Sequence, residues 1–352
     1  MKRSVVLMHL ERGGSVGPSY WRNLKPAAFK AFVDEIFQHY RQEGYPFYQY
    51  NSRTKQNLFS KLAQLHVEGL IRDNVIHQNF CAQGLAWSYF PHALMVQART
   101  SFHSVNETFS DDELFRKALG NILAMLEKSK STFSHRTFAS MMKMARGTQG
   151  VSNFRPSAAK ALYQRYAQDK VVWDMSCGFG GRLLGAMSAP VKKYIGTDPA
   201  TLTMKGLLQM KAELGGYSPA VIELNKVGSE EFVPAEPVDF CFTSPPYFDI
   251  EKYSNEPTQS YVKFPNMESW LNVFVRKTAE NCFKCLRRDG ILVFNVSEAL
   301  AQPFVKVCRD VGFKEIERLQ LRLSGMPGAG KKAGVYKDST FKHEPVLIFK
   351  KR

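Results

Sequence analysis

From residue 171 to 352, short apolar runs rich in β-branched and aromatic residues alternate with segments of helical spacing, and this alternation leaves few folds open. Strands separated by crossover-length helices pair in parallel and bury both faces, which makes a doubly wound α/β sheet. Buried strands are predicted over 171–175, 194–198, 221–224, 238–243 and 291–296. Helices are predicted over 182–188, 202–214, 267–286 and 300–311. Two further runs, 315–323 and 345–349, predict a closing antiparallel pair, so the expectation is a Rossmann-like sheet of seven strands.

The first 150 residues read differently. Phe29-x-x-Phe32-x-x-x-Ile36 and Leu58-x-x-x-Leu62-x-x-Leu65 carry apolar residues at helical spacing, with few glycine turns between them. The sequence therefore predicts a mostly helical domain over 1–150 and an α/β domain over 151–352, joined at the small, polar stretch 146–152. No internal repeat interrupts either part.

The length of 352 residues and a hydrophobic content of 44% supply enough apolar surface for two cores, which excludes a disordered or collagen-like chain. No run approaches the roughly 18–20 apolar residues of a membrane span, and residues 4–10 are too short for a signal peptide. A cytoplasmic protein that makes no membrane contact is expected. Lys and Arg number 48 against 32 Asp and Glu, a formal charge of +16, so the expected partner is a polyanion, nucleic acid before membrane. The six cysteines are scattered and read as buried thiols; Cys282-x-x-Cys285 stands alone, without the second pair that a metal site needs, and no metal is expected.

The predicted strand 238–243 ends in Ser244-Pro245-Pro246-Tyr247. Ligands of open α/β sheets bind outside the carboxyl ends of the strands, so this tetrapeptide faces the cleft. Two prolines fix the backbone and leave carbonyl oxygens without a local N–H competitor. Ser244 and the Pro245 carbonyl can then accept from an exocyclic amino group while Tyr247 stacks on the base that bears it. Upstream, Asp174-Met175-Ser176-Cys177-Gly178-Phe179-Gly180-Gly181 follows the first strand, with glycines where a cofactor must approach the backbone. Asp198, about twenty residues on, ends the next strand where an acid can bond ribose hydroxyls. Together these predict a nucleoside cofactor; the G-x-G-x-x-G spacing of dinucleotide sites is absent.

Over about 153–351 the chain resembles the S-adenosylmethionine-dependent amino-methyltransferases that modify exocyclic amines of DNA bases. The resemblance rests on the 174–181 loop, Asp198, the Ser244–Tyr247 tetrapeptide and the final run Lys342-His343-Glu344-Pro345-Val346-Leu347-Ile348-Phe349-Lys350. It implies the seven-stranded class I methyltransferase sheet, S-adenosylmethionine as cofactor and DNA as partner. It also implies cofactor contacts from Phe154, Pro156, Ser157, Asp174, Ser176, Cys177, Gly178, Gly180, Asp198 and Pro199, with Ser229 near the adenine. Serine at the head of the tetrapeptide resembles the cytosine-N4 branch; Asp or Asn there is more usual for adenine-N6. RNA or protein amino groups remain open as substrates, as does a non-catalytic DNA-binding protein on the same fold. No nuclease motif is present, which suits either a solitary methylase or the modifying half of a restriction-modification pair with a companion nuclease.

Lys252, Tyr253 and Tyr261, after the tetrapeptide, and Lys331 and Lys332, in a basic Gly-rich loop, are the predicted nucleic-acid contacts. Residues 325–332 nearly spell a phosphate-binding loop but lack the hydroxyl that would bind magnesium. The aromatic and basic run 45–55 resembles a nucleic-acid contact, although core packing accounts for its rings equally well.

Overall fold

The computed structural model describes residues 10, 13–99, 101–325 and 341–352. Its strands are β1 (Ile71–Arg72), β2 (Val75–Ile76), β3 (Val171–Asp174), β4 (Lys193–Thr197), β5 (Val221–Asn225), β6 (Val238–Thr243), β7 (Leu286–Asn295), β8 (Phe313–Gly325) and β9 (Phe341–Lys351). The main helices are α1 (Pro26–Glu43), α2 (Ser52–Ala63), α3 (Asp112–Ser129), α4 (His135–Met142), α5 (Pro156–Tyr166), α6 (Gly181–Met187), α7 (Thr201–Leu214), α8 (Arg276–Cys285) and α9 (Glu298–Val311). Among the described residues no helix is long and apolar enough to cross a membrane.

The strands form one sheet in the order β1-β2-β8-β9-β7-β6-β3-β4-β5. The block β7-β6-β3-β4-β5 is parallel, and β9 runs antiparallel between β7 and β8. This is the Rossmann-like, seven-stranded arrangement that the alternating sequence predicts and that the resemblance implies as the class I methyltransferase sheet, extended at the β8 edge by a hairpin that neither foresees. In the predicted helix 267–286, a π-type turn over Trp270–Val275 precedes α8 and carries Trp270 and Phe274 into the core beneath the sheet.

Two compact units emerge from the chain. The first joins Met1–Gln49, Pro91–Ser152 and Ile250–Tyr253; the second joins Tyr50–Phe90, Asn153–Asp249 and Ser254–Arg352. The first unit is helical, with Ile36, Phe37 and Tyr40 of α1 packed against Phe115, Leu119 and Ile122 of α3 and Phe138 of α4. A break falls between Ser152 and Asn153, close to the predicted joint, but residues 50–90 belong to the sheet unit rather than to a single domain spanning 1–150.

Local chemistry accounts for that correction. Asp73 and Asn74 both take positive φ, 51° and 59°, and so make the tight hairpin turn whose twist matches paired strands. The turn brings Ile71 opposite Ile76, and Ile76 then pairs in parallel with Leu321 of β8 and is fully buried. Lys160 of α5 supplies a second tie: its ammonium donates to the carbonyls of Leu62, Ala63 and Leu65 at 2.8–2.9 Å, satisfying groups left open where α2 ends.

Candidate active site

β3 and β6 are neighbours in the sheet, so the glycine-rich loop after Asp174 and the tetrapeptide after Thr243 leave from adjacent carboxyl ends. Arg182, on the first turn of α6, joins them. Its Nε donates to Asp174 Oδ2 at 2.9 Å, and its terminal nitrogen donates to the Ser176 carbonyl and, at 3.3 Å, to Thr243 Oγ1. The Tyr194 hydroxyl completes the shell of Asp174 at 2.8 Å. Asp174 and Arg182 are 1% and 4% exposed, so their pairing sits in low dielectric with every charge met. Burial alone would lower the Arg182 pKa; the Asp174 carboxylate overrides it and holds the guanidinium above its ordinary range. Asp174 thus frames the loop from behind.

Gly178 and Gly180 adopt left-handed φ values of 55° and 68°. At Gly178 nothing but the Ser176 carbonyl would come within 4 Å of an added Cβ, which leaves the loop open on that side. At Gly180 a Cβ would lie 2.6 Å from Met210 and 3.1 Å from Phe90, and at Gly181 it would collide with the Phe154 carbonyl. The loop is therefore clasped by residues 153–154, where Asn153 donates to the Phe179 carbonyl at 2.8 Å, and by Trp87 and Phe90, whose rings lie 5.4 and 5.6 Å from that of Phe179.

Asp198 follows β4 and is 7% exposed. It accepts from the Gly178 amide at 2.9 Å and the Ala200 amide at 3.0 Å, one on each oxygen. An ionised carboxylate offers about four lone-pair sites, so acceptor capacity remains for two hydroxyl donors. Burial pushes its pKa up to about 6 against the pull of these two amides.

The other predicted cofactor residues divide by how their side chains are used. Phe154 packs edge-on to Phe242 at 5.3 Å, and Pro156 starts α5 in the core. Ser157 donates its buried hydroxyl to the Asn79 carbonyl at 2.6 Å, and the Ser229 hydroxyl pairs with Thr278 at 2.8 Å; both hydroxyls are committed within the protein. The Cys177 thiol is buried 3.4 Å from the Tyr194 hydroxyl, burial pushes its pKa well up, and its amide donates to the Thr197 carbonyl at 2.9 Å. Ser176 turns its carbonyl to Arg182, and Pro199 is half-buried.

In the tetrapeptide Pro245 is buried while Ser244, Pro246 and Tyr247 are partly exposed. The Tyr247 hydroxyl donates to Glu344 Oε2 of β9 at 3.1 Å, and its ring packs against the core. Phe248 then takes a φ of 56°, a left-handed conformation that costs a non-glycine residue about 1–2 kcal/mol and turns the chain sharply after Tyr247. Glu344 also meets the Asn295 side chain, and its pKa is raised by burial against the pull of Tyr247, Asn295 and Arg155.

Tyr261 belongs to the sheet unit and donates to the Ser254 carbonyl at 2.6 Å. Lys252 and Tyr253 belong to the first unit, where the Lys252 amide donates to the Gln97 carbonyl and the Tyr253 hydroxyl meets Glu251. Lys331 and Lys332 lie outside the described residues.

Sequence reasoning missed Arg182, Glu344 and the clasp from Trp87 and Phe90. Arg182 carried a signal: a cation in the first turn opposes the helix dipole, so its presence at the start of α6 calls for a buried anion.

No protein-family model matches the sequence, and no curated protein gives a significant match. Among solved structures, a methyltransferase from Pyrococcus furiosus is 13% identical, with 56% of this chain covering 82% of that one at a TM-score of 0.38. The N-methyltransferase NodS from Bradyrhizobium japonicum, solved with S-adenosyl-L-homocysteine, is 14% identical over 56% of this chain and 85% of that one, TM-score 0.37. TrmN from Thermus thermophilus is 14% identical over 56% and 49%, TM-score 0.37. Likenesses this distant assign no chemistry to the chain.

Proposed function

We propose that this protein is an S-adenosylmethionine-dependent methyltransferase acting on an exocyclic amine of a DNA base, cytosine N4 before adenine N6. The observation that carries the reading is the junction made by Arg182, which fixes a glycine loop suited to a nucleoside beside the Ser244–Tyr247 tetrapeptide. The open face at Gly178 and the remaining acceptor capacity of Asp198 fit that cofactor. When bound, its sulfonium supplies the activated methyl group.

The chain's own residues do the rest. An arylamine is a poor nucleophile because its lone pair is delocalised into the ring. Ser244 Oγ and the Pro245 carbonyl accept its two hydrogens and favour the pyramidal form, whose lone pair points along the transfer axis. Tyr247 stacks on the base, offsetting part of the few kcal/mol that removal from a duplex costs. Serine rather than Asp or Asn at the head of the tetrapeptide favours cytosine. The formal charge of +16 suits a polyanionic substrate.

The test is incubation with S-adenosylmethionine and unmethylated DNA, digestion to nucleosides and mass spectrometry. N4-methylcytosine is expected, with Ser244→Ala lowering its formation about 100-fold while calorimetric cofactor affinity stays level. N6-methyladenine would overturn the choice of base. Cofactor binding with neither product would overturn DNA as the substrate.

A further inference from the structure

Phe80 is 57% exposed, and no other phenylalanine among the described residues is exposed. A ring left in water forgoes about 1.5–3 kcal/mol of burial, yet here the loop is built to hold it there. The Asn79 carbonyl accepts from the buried Ser157 hydroxyl, Asn79 Oδ1 accepts from the Cys81 amide at 2.9 Å, and the Phe80 carbonyl accepts from the Gln83 amide at 3.1 Å. Gln83 Nε2 donates to the Asn153 carbonyl at 3.3 Å. Two of these bonds attach the loop to Ser157 and to Asn153, which itself clasps the glycine loop through the Phe179 carbonyl, so Phe80 is held on the same scaffold as that loop.

The Arg155 guanidinium lies 5.8 Å from the Phe80 ring centroid. Arg155 is only 7% exposed; it donates to the Arg322 carbonyl at 2.5 Å, and its Nε is buried with no hydrogen-bond partner among the described residues. Arg322 follows Leu321, which pairs across the sheet with Glu344, the acceptor of the Tyr247 hydroxyl. Phe80 and Tyr247 are thus tied to the same β8–β9 strand pair, one through Arg155 and the other through Glu344.

An exposed ring on a hydrogen-bonded loop, with a guanidinium 5.8 Å from its centroid that is tied to the strand pair holding Tyr247, matches the π-face of a nucleobase. We propose that Phe80 is a stacking platform for a base of the substrate strand that flanks the one entering the catalytic pocket. This inference rests on the nucleic-acid reading above. The platform holds the flanking nucleotide by its face, so it is tolerant of base identity and adds affinity rather than sequence choice.

The experiment measures binding of the full chain to a fluorescein-labelled single-stranded oligonucleotide of mixed sequence by anisotropy, across a salt series. Phe80→Ala should weaken binding about 5- to 100-fold, Phe80→Trp should retain it, and the salt slope should be unchanged because no phosphate contact is lost. Cofactor affinity should be the same in all three proteins, which separates the loss from misfolding. Wild-type binding that Phe80→Ala leaves intact overturns the platform alone. A wild-type protein that binds S-adenosylmethionine but no oligonucleotide overturns the platform and the nucleic-acid reading together.

Discussion

The hydrogen bond between Tyr247 and Glu344 makes a quantitative prediction about turnover. In the proposed reaction the ring of Tyr247 must lie flat against the incoming base, and its hydroxyl is fixed 3.1 Å from Glu344 Oε2. A hydrogen bond to a charged acceptor contributes about 1.5–3 kcal/mol, and the pair is only partly buried, so solvent screening reduces this to about 1–2 kcal/mol. If this energy holds the ring in its reactive orientation, losing it slows methyl transfer about 5- to 30-fold. Tyr247→Phe and Glu344→Ala should each show that loss in single-turnover rate, with cofactor affinity unchanged. Because both changes remove the same bond, the double variant should be no slower than either single one. Glu344→Gln keeps an acceptor and should recover most of the rate. Multiplying losses in the double variant, or a wild-type rate in Glu344→Ala, would refute the reasoning.

Two other perturbations follow from the buried charges. Arg182→Ala strands the Asp174 carboxylate in the core and should destabilise the protein by about 3–5 kcal/mol in urea unfolding followed by tryptophan fluorescence; a loss under about 1 kcal/mol would mean the ion pair is not the structural joint described. Asp198 titrates near pH 6 because burial disfavours its charge, and ribose hydroxyls need the ionised form as acceptor. Calorimetric affinity for S-adenosylmethionine should therefore be level above about pH 7 and fall up to tenfold per unit below pH 6. Asp198→Asn should bind weakly at every pH, and a pH-independent wild type would remove Asp198 from the ribose contact.

The parallel strands are legible in the sequence because each contains a short apolar run bounded by polar or glycine turns, and the two loops facing the cleft follow from where β3 and β6 end. The hairpin at 71–76 is less legible. Its strands are two residues long, below any periodicity window, and only the Asp73-Asn74 pair between β-branched residues announces it. Side-chain direction is the other blind spot. The resemblance implies cofactor contacts from Ser157, Cys177 and Ser229, while the fold turns their polar atoms toward Asn79, Tyr194 and Thr278. Spacing locates a backbone segment; which way a small hydroxyl or thiol points is decided by partners far away in sequence.

The attachment of β2 to β8 also bears on how the chain is made. Ile76 pairs with Leu321, a separation of 321 − 76 = 245 residues. At about 5–20 residues per second of synthesis, β2 leaves the ribosome roughly 12–50 seconds before the strand that covers it exists. During that interval an apolar hairpin waits without its sheet, and the Trp87–Phe90 segment waits without the loop it clasps. The α/β unit can close only when nearly the whole chain has emerged. A fragment cut at residue 151 would lack the outer strands of its own sheet, so the apparent joint in the sequence is not a place where the molecule can be divided.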